Sequence, residues 1–116
     1  MDDLVKAVLA FRDRRDWRQF HNPKDLAISI TLEAAELLEH FQWKTAEEVA
    51  ALLASEESRR RVGQEMADVL ILLISLADAV GLDLLEAAGA KLQENERKYP
   101  VDRSKGNATK YDKLPP

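Results

Sequence analysis

The chain has 116 residues, no cysteine, and 17 Lys and Arg against 21 Asp and Glu, which gives a formal net charge of −4. This length fits a single domain over residues 1–116, and the lack of cysteine excludes disulfides, Cys-ligated zinc and iron–sulfur clusters. Net acidity argues against a nucleic-acid partner. The chain does not open on a secretory pattern, and its longest apolar run, residues 69–74, is too short for a bilayer. We therefore expect a cytoplasmic protein with no membrane partner.

Helix signals divide the chain into four main helices and one short one. Asn22 and Pro23 start the second helix, because Asn caps a helix and Pro is tolerated at its first position. Thr45 and Asp83 each stand three residues before a glutamate, which is capping-box spacing and predicts two further starts. Gly81 suits the left-handed residue that ends a helix. The predicted helices cover about residues 2–15, 24–41, 46–54, 56–80 and 84–98.

The pattern predicts an all-α fold, because no strand-like alternation appears. Pro100 ends the last helix, and the polar stretch of about residues 101–116 predicts an extended C-terminal tail. The expected architecture is a four-helix bundle with a short extra helix and this tail. A chain this small with several apolar helix faces also predicts a homo-oligomer.

Two pairs of acidic residues stand among apolar residues in the second and fourth helices. Glu33 and Glu36 form one pair, Glu65 and Asp68 the other, and a spacing of three places each pair on one helix face. Four converging carboxylates repel one another unless a cation joins them. Oxygen ligands favour Mg²⁺ or Mn²⁺, which usually bind substrate phosphates as well. The alternative is that the acids lie on solvated edges or form salt bridges.

A di-iron centre is the neighbouring possibility for acids in a helical bundle. Ferritin-like sites need Glu-x-x-His on two helices, whereas His40 follows Glu36 by four residues and His21 lies in a connector. The spacing therefore disfavours iron.

The acid pairs resemble the metal-binding pattern of the MazG-like, all-α nucleoside triphosphate pyrophosphohydrolases. The likeness extends to the dCTP pyrophosphatase branch of that family and spans about residues 4–115. It rests on the blocks at residues 15–21, 41–45, 68–71, 91–95, 99–100, 110–111 and 114–115.

This resemblance implies hydrolysis of a nucleoside triphosphate between its α and β phosphates, giving a monophosphate and pyrophosphate. The implied substrate is dCTP or a modified pyrimidine deoxynucleotide, and the implied role is removal of unwanted nucleotides. The implied cofactor is Mg²⁺, with Mn²⁺ possible, and the implied ligands are Glu33, Glu36, Glu65 and Asp68. Glu36 and Glu65 are the candidate catalytic residues, and Glu36 is favoured as the base that takes a proton from water.

The resemblance also assigns residues to the rest of the nucleotide. The phosphate-binding candidates are Lys91, Asn95, Lys110 and Tyr111, and the base-binding candidates are Trp17, His21 and Trp43. Residue types alone also allow a solvated helix face for Lys91 and Asn95, a disordered tail, core tryptophans and a helix-entry role for His21.

Two positions depart from the pattern of dCTP-specific relatives. Val8 stands where those relatives have His, and Leu72 where they have Tyr. Since hydrogen bonds from a site are what reject wrong bases strongly, the preferred base stays open. The family also implies a homotetramer, with a dimer as the alternative. Competing functions are pyrophosphohydrolysis of another substrate, such as phosphoribosyl-ATP, and a metal-free helical interaction module.

Overall fold

Helices make up most of the chain in the computed structural model, which describes residues 1–114 and 116. They are α1 (Asp2–Arg14), α2 (Pro23–Glu39), α3 (Ala46–Ala54), α4 (Glu56–Val80), α5 (Leu84–Lys98) and α6 (Val101–Ser104), with 3-10 turns at Arg18–Phe20 and Tyr111–Lys113. The described residues contain no strand, which confirms the predicted all-α class. None of these helices combines the length and hydropathy that crossing a membrane requires. Pro115, part of the last sequence block, lies outside the described residues.

The predicted capping residues start and end the helices. The Asn22 side chain accepts a hydrogen bond from the first turn of α2. Thr45 and Glu48 form a reciprocal capping box, with both N···O distances at 3.2 Å. Asp83 caps α5. Gly81 ends α4 with a φ of 72°, a left-handed conformation that glycine adopts without steric cost. Capping hydrogen bonds form between residues a few positions apart, so the local sequence is enough to predict them.

The structure differs from the prediction at the end of α2 and in the tail. α2 ends at Glu39, two residues early, because the chain turns over residues 40–43 and Trp43 takes a φ of 64°. The tail is not extended throughout. Ser104 donates its N–H to the carbonyl of Pro100 at 2.9 Å, which closes the single turn of α6. Proline is compatible with a helix start, so it ends α5 and also begins this turn.

The chain divides into two compact units, Met1–Leu82 and Asp83–Pro116. In the first unit α2 and α4 form the most extensive helix pair, and α1 and α3 each pack on α4. Its buried apolar side chains are Val8, Leu26, Val62 and Ile74. The two helices that carry the acid pairs are therefore the central pair of this unit.

A buried ion pair connects α1 to α4. Arg12 is 4% exposed, and its Nη1 donates to Asp78 Oδ2 at 2.6 Å. Its Nε and Nη2 both contact Asp13 Oδ1 at 2.9 Å. The hydrogen bonds to Asp13 and then to Asp78 raise the pKa of Arg12 above its usual value. A guanidinium can be buried here because carboxylates meet three of its nitrogens.

Candidate metal centre

Three of the four predicted acids meet between α2 and α4. One carboxylate oxygen from each of Glu33, Glu36 and Glu65 lies within 4.8 Å of the others. Glu33 and Glu36 are one turn apart on α2, and Glu65 comes from α4, so the central helix pair brings the cluster together. Asp68 is exposed and stands outside this group of three, although its charge acts on both Glu33 and Glu65.

Mutual repulsion and burial change the acidity of the cluster. A hydrogen bond with Glu36 is the largest cause that raises the pKa of Glu33, followed by burial and by the charges of Glu36, Asp68 and Glu65. Burial is the largest cause that raises the pKa of Glu65, and the Glu36 charge comes next. The metal-free cluster therefore holds protons more tightly than separated carboxylates do.

Two oxygens of the cluster have their hydrogen-bonding capacity unused. Glu33 Oε2 and Glu65 Oε2 are buried, and neither has a hydrogen-bond partner among the described residues. A buried polar atom left in this way is costly unless something binds it. An all-carboxylate donor set is the kind that hard divalent cations prefer. The residues present therefore fit a divalent metal ion.

His40 stands beside this cluster. It lies at the C-terminal end of α2, and its Nε2 is 3.9 Å from Glu65 Oε1. The sequence analysis weighed His40 only as an iron ligand and missed this contact. A signal was available, because a residue four positions after Glu36 lies on the same helix face.

The base-binding candidates lie in the turns before and after α2. Trp17 packs edge-to-face on Phe11, with 5.7 Å between ring centroids. His21 directly precedes the cap of α2, and its Nδ1 is buried without a hydrogen-bond partner in the described part of the chain. Trp43 is 92% exposed in the turn after α2. No aromatic ring pair joins these three candidates within residues 1–114.

The two departures from the dCTP-specific pattern provide no polar group. Val8 is buried in the apolar core of the first unit, and Leu72 is half-buried on α4. Neither side chain can form a hydrogen bond with a base.

The phosphate-binding candidates all lie in the second unit. Lys91 is exposed on α5 with its Nζ 3.5 Å from Glu94 Oε2, and Asn95 is half-buried one turn later. Lys110 and Tyr111 are exposed in the tail. Lys91 therefore has a carboxylate partner within its own helix.

The tail packs on α5 through Tyr111. Its ring lies edge-to-face on Tyr99, with 6.1 Å between centroids, and Lys98 Nζ is 4.7 Å from the Tyr111 ring centroid. Lys98 also lies 3.0 Å from Glu94 Oε1. These contacts place Tyr111 beside the C-terminal end of α5.

A comparison with protein-family models assigns the chain to a family. The model of the MazG-like family matches residues 28–114, which include both acid pairs, Trp43, Lys91 and Asn95. The chain belongs to the MazG-like family.

Individual relatives agree with that family assignment. The dCTP pyrophosphatase 1 of Bos taurus is 39% identical over 115 residues, which cover 99% of this chain and 68% of that protein. The dCTP pyrophosphatase 1 of Homo sapiens is 36% identical with the same coverage. A crystal structure of a pyrophosphatase from Archaeoglobus fulgidus is 44% identical, with a TM-score of 0.78, and the match covers 86% of this chain and 92% of that one.

Proposed function

We propose that this protein hydrolyses nucleoside triphosphates to monophosphates and pyrophosphate in a Mg²⁺-dependent reaction that removes unwanted deoxynucleotides. The relatives are pyrophosphatases, and the chain is accordingly an enzyme of the nucleoside triphosphate pyrophosphohydrolase class. The observation that carries the metal dependence is the cluster of Glu33, Glu36 and Glu65, with two buried oxygens that no described residue binds.

In the proposed mechanism the four acids hold the cation and one of them moves a proton. Glu33, Glu36, Glu65 and Asp68 would hold a divalent ion, which would neutralise phosphate charge and lower the pKa of water. Glu36 is the exposed member of the cluster of three, so its carboxylate is accessible to water and acts as the base. The water oxygen then bonds to the α phosphorus, the bond to the bridging oxygen breaks, and pyrophosphate leaves.

The proposed substrate is dCTP or a modified pyrimidine deoxynucleotide. Trp17, His21 and Trp43 are proposed to bind the base, and both tryptophans have exposed ring surface for stacking. Because Val8 and Leu72 offer no hydrogen bond, we expect weaker discrimination among pyrimidines than a site with polar groups there would give. The phosphates are proposed to be bound by Lys91, Asn95, Lys110 and Tyr111.

Product analysis tests the reaction. Purified protein with Mg²⁺ is incubated with dCTP, 5-methyl-dCTP, dUTP, dTTP, dATP, dGTP and CTP, and the products are separated by chromatography. We expect a monophosphate and pyrophosphate, with turnover at least about 100-fold lower in Glu65→Gln and in Asp68→Asn because each loses a metal ligand. Glu47→Gln, an exposed glutamate at the start of α3, should retain activity.

Other products would separate the alternatives. A diphosphate and orthophosphate would show that the enzyme cuts a different bond. No turnover, together with thermal stabilisation by Mg²⁺, would favour a substrate such as phosphoribosyl-ATP. No turnover and no stabilisation would favour the interaction module, because a ligand that binds the folded state must stabilise it.

We also propose that the whole chain, residues 1–116, is one domain that assembles as a homotetramer, with a dimer as the second possibility. The second unit is too short to sustain a hydrophobic core alone, which supports a single domain. Large apolar side chains on the two central helices are open, among them Leu32 at 61% and Met66 at 57% exposure, and a second copy would bury such surface. A cytoplasmic location remains part of the proposal.

Light scattering behind a sizing column tests the assembly. We expect a mass of about four times the 13.1 kDa chain, since the family resemblance implies a tetramer and open apolar helix surface is available for subunit contacts. The charged variant Leu32→Asp should lower the mass, whereas Lys24→Asp, at an exposed polar position of the same helix, should leave it unchanged. A wild-type monomer across micromolar concentrations would contradict the proposal.

A further inference from the structure

We propose that His40 is a positioning residue for the metal centre, where it holds the Glu65 carboxylate in the orientation that binds the cation. This inference rests on the proposed function, because it assigns a role toward the same centre. Neither residue types nor family blocks give His40 this role.

The contact joins the two central helices at one end of the acid cluster. His40 Nε2 and Glu65 Oε1 are 3.9 Å apart, and both side chains are mostly buried, at 22% and 24% exposure. The His40 ring also lies near Phe41, with 6.4 Å between ring centroids. Polar contacts that are partly shielded from water are stronger than exposed ones.

The two oxygens of Glu65 have different surroundings. Oε1 faces the imidazole, whereas Oε2 is buried with no partner among the described residues. The present distance of 3.9 Å is longer than a hydrogen bond. The imidazolium and one neutral tautomer both carry a hydrogen on Nε2, so a movement of about 1 Å would let either form donate to Oε1. With Oε1 held, Oε2 stays available to the cluster of Glu33 and Glu36.

The negative charges around Glu65 make such a partner useful. Glu36 and Asp68 both act on Glu65 with like charge, whereas His40 acts with the opposite sign. Without His40, repulsion favours rotation of the carboxylate away from the cluster. Hydrogen-bonded partners that orient metal ligands typically change metal affinity by about 10- to 100-fold.

A pair of variants at position 40 tests this role. His40→Leu removes the donor and keeps apolar contact with Phe41, and His40→Gln keeps an N–H near the position of Nε2. Mn²⁺ alone is titrated and the midpoint of thermal unfolding is measured, which gives an apparent affinity without any substrate. We expect about 10- to 100-fold weaker Mn²⁺ binding in His40→Leu and less than about threefold weakening in His40→Gln.

Enzyme kinetics give a second readout. The Mg²⁺ concentration for half-maximal activity should rise in His40→Leu by the same factor as the Mn²⁺ affinity falls. The kcat at saturating Mg²⁺ should stay within about threefold of wild type, because metal excess restores the occupied site. A purely structural defect would lower kcat at every metal concentration.

The outcomes separate this inference from the proposed function. If Mn²⁺ stabilises wild type and Glu65→Gln abolishes the effect, unchanged affinity in His40→Leu would overturn the role of His40 alone. Equal weakening in the Leu and Gln variants would overturn it as well, since the donor would then be irrelevant. No stabilisation of wild type would overturn both the metal centre and the role of His40.

Discussion

Individual carboxylates of the candidate metal centre bind a proton more readily than separated carboxylates do. Glu33 and Glu65 both have raised pKa values, and Glu36 contributes to each shift. A raised pKa means that the folded protein binds the proton more tightly than the unfolded chain does. The associated stability is fully present below the ordinary value of 4.5, and it is lost as the pH rises through the raised pKa.

Removing Glu36 should therefore stabilise the metal-free protein at neutral pH. We expect the midpoint of thermal unfolding of Glu36→Gln to exceed that of wild type by a few degrees at pH 7 in the presence of a chelator. The difference should shrink toward zero as the pH falls below about 4.5, where the carboxyl groups are protonated in both states. Differential scanning calorimetry measures both quantities.

Two comparisons control this experiment. Glu96→Gln, at an exposed position of α5, should behave as wild type at both pH values. Saturating Mn²⁺ should reverse the order at pH 7, because wild type gains binding energy that the variant has lost. A Glu36→Gln protein that is less stable than wild type at pH 7 without metal would contradict the interpretation.

Residue types identified the acids of the cluster, but they did not determine its geometry. The spacing of three brings Glu33 onto the face of Glu36, and two helices with this pattern predict a shared site. The sequence could not show that Asp68 stands outside the group of three or that His40 faces Glu65. Both facts depend on how α2 and α4 are rotated against each other, which tertiary packing decides.

A polar contact joins helix α1 to α4, in addition to the packing of the two helices. The guanidinium of Arg12 is buried between Asp13, its neighbour in α1, and Asp78 of α4. Of these two contacts of Arg12, the one to Asp78 joins α1 to α4. Removal of Asp78 would leave the buried guanidinium without its partner on α4, which is more costly than the loss of an exposed ion pair.

The variant Asp78→Asn should destabilise the protein by about 2 kcal/mol, because it removes the charge that meets a buried guanidinium. Urea unfolding at fixed protein concentration measures this change in the free energy of unfolding. The matched variant Asp13→Asn changes a more exposed partner within α1 and should destabilise the protein less than Asp78→Asn does. Equal decreases in the free energy of unfolding in the two variants would show that the contact between the helices contributes no more to stability than the contact within α1.

Helix starts followed from the sequence more reliably than helix ends. Thr45 and Asp83 act as caps through hydrogen bonds within their own first turns, so local residue types suffice. The early end of α2 depends instead on the backbone of the turn at Trp43. Pro100 ends one helix and begins another, which no periodicity in the polar tail revealed.

At the scale of the molecule, the sequence blocks were more informative than composition. Composition predicted a folded acidic chain, and helical spacing predicted the all-α class, which the structure confirms. Family membership followed from blocks spread over the chain and is confirmed by the match over residues 28–114. Base preference was not predictable, because Val8 and Leu72 remove polar groups and add none in their place.

The different surroundings of the two tryptophans allow intrinsic fluorescence to report on binding at the turn after α2. Trp43 is 92% exposed in a strained turn, whereas Trp17 is packed on Phe11. Indole emission shifts to shorter wavelength when water leaves the ring. Any molecule that covers the turn after α2 would therefore shift the emission maximum of Trp43 to shorter wavelength. With Trp17 replaced by Phe, the intrinsic emission of the chain would monitor that single turn in real time, without a label.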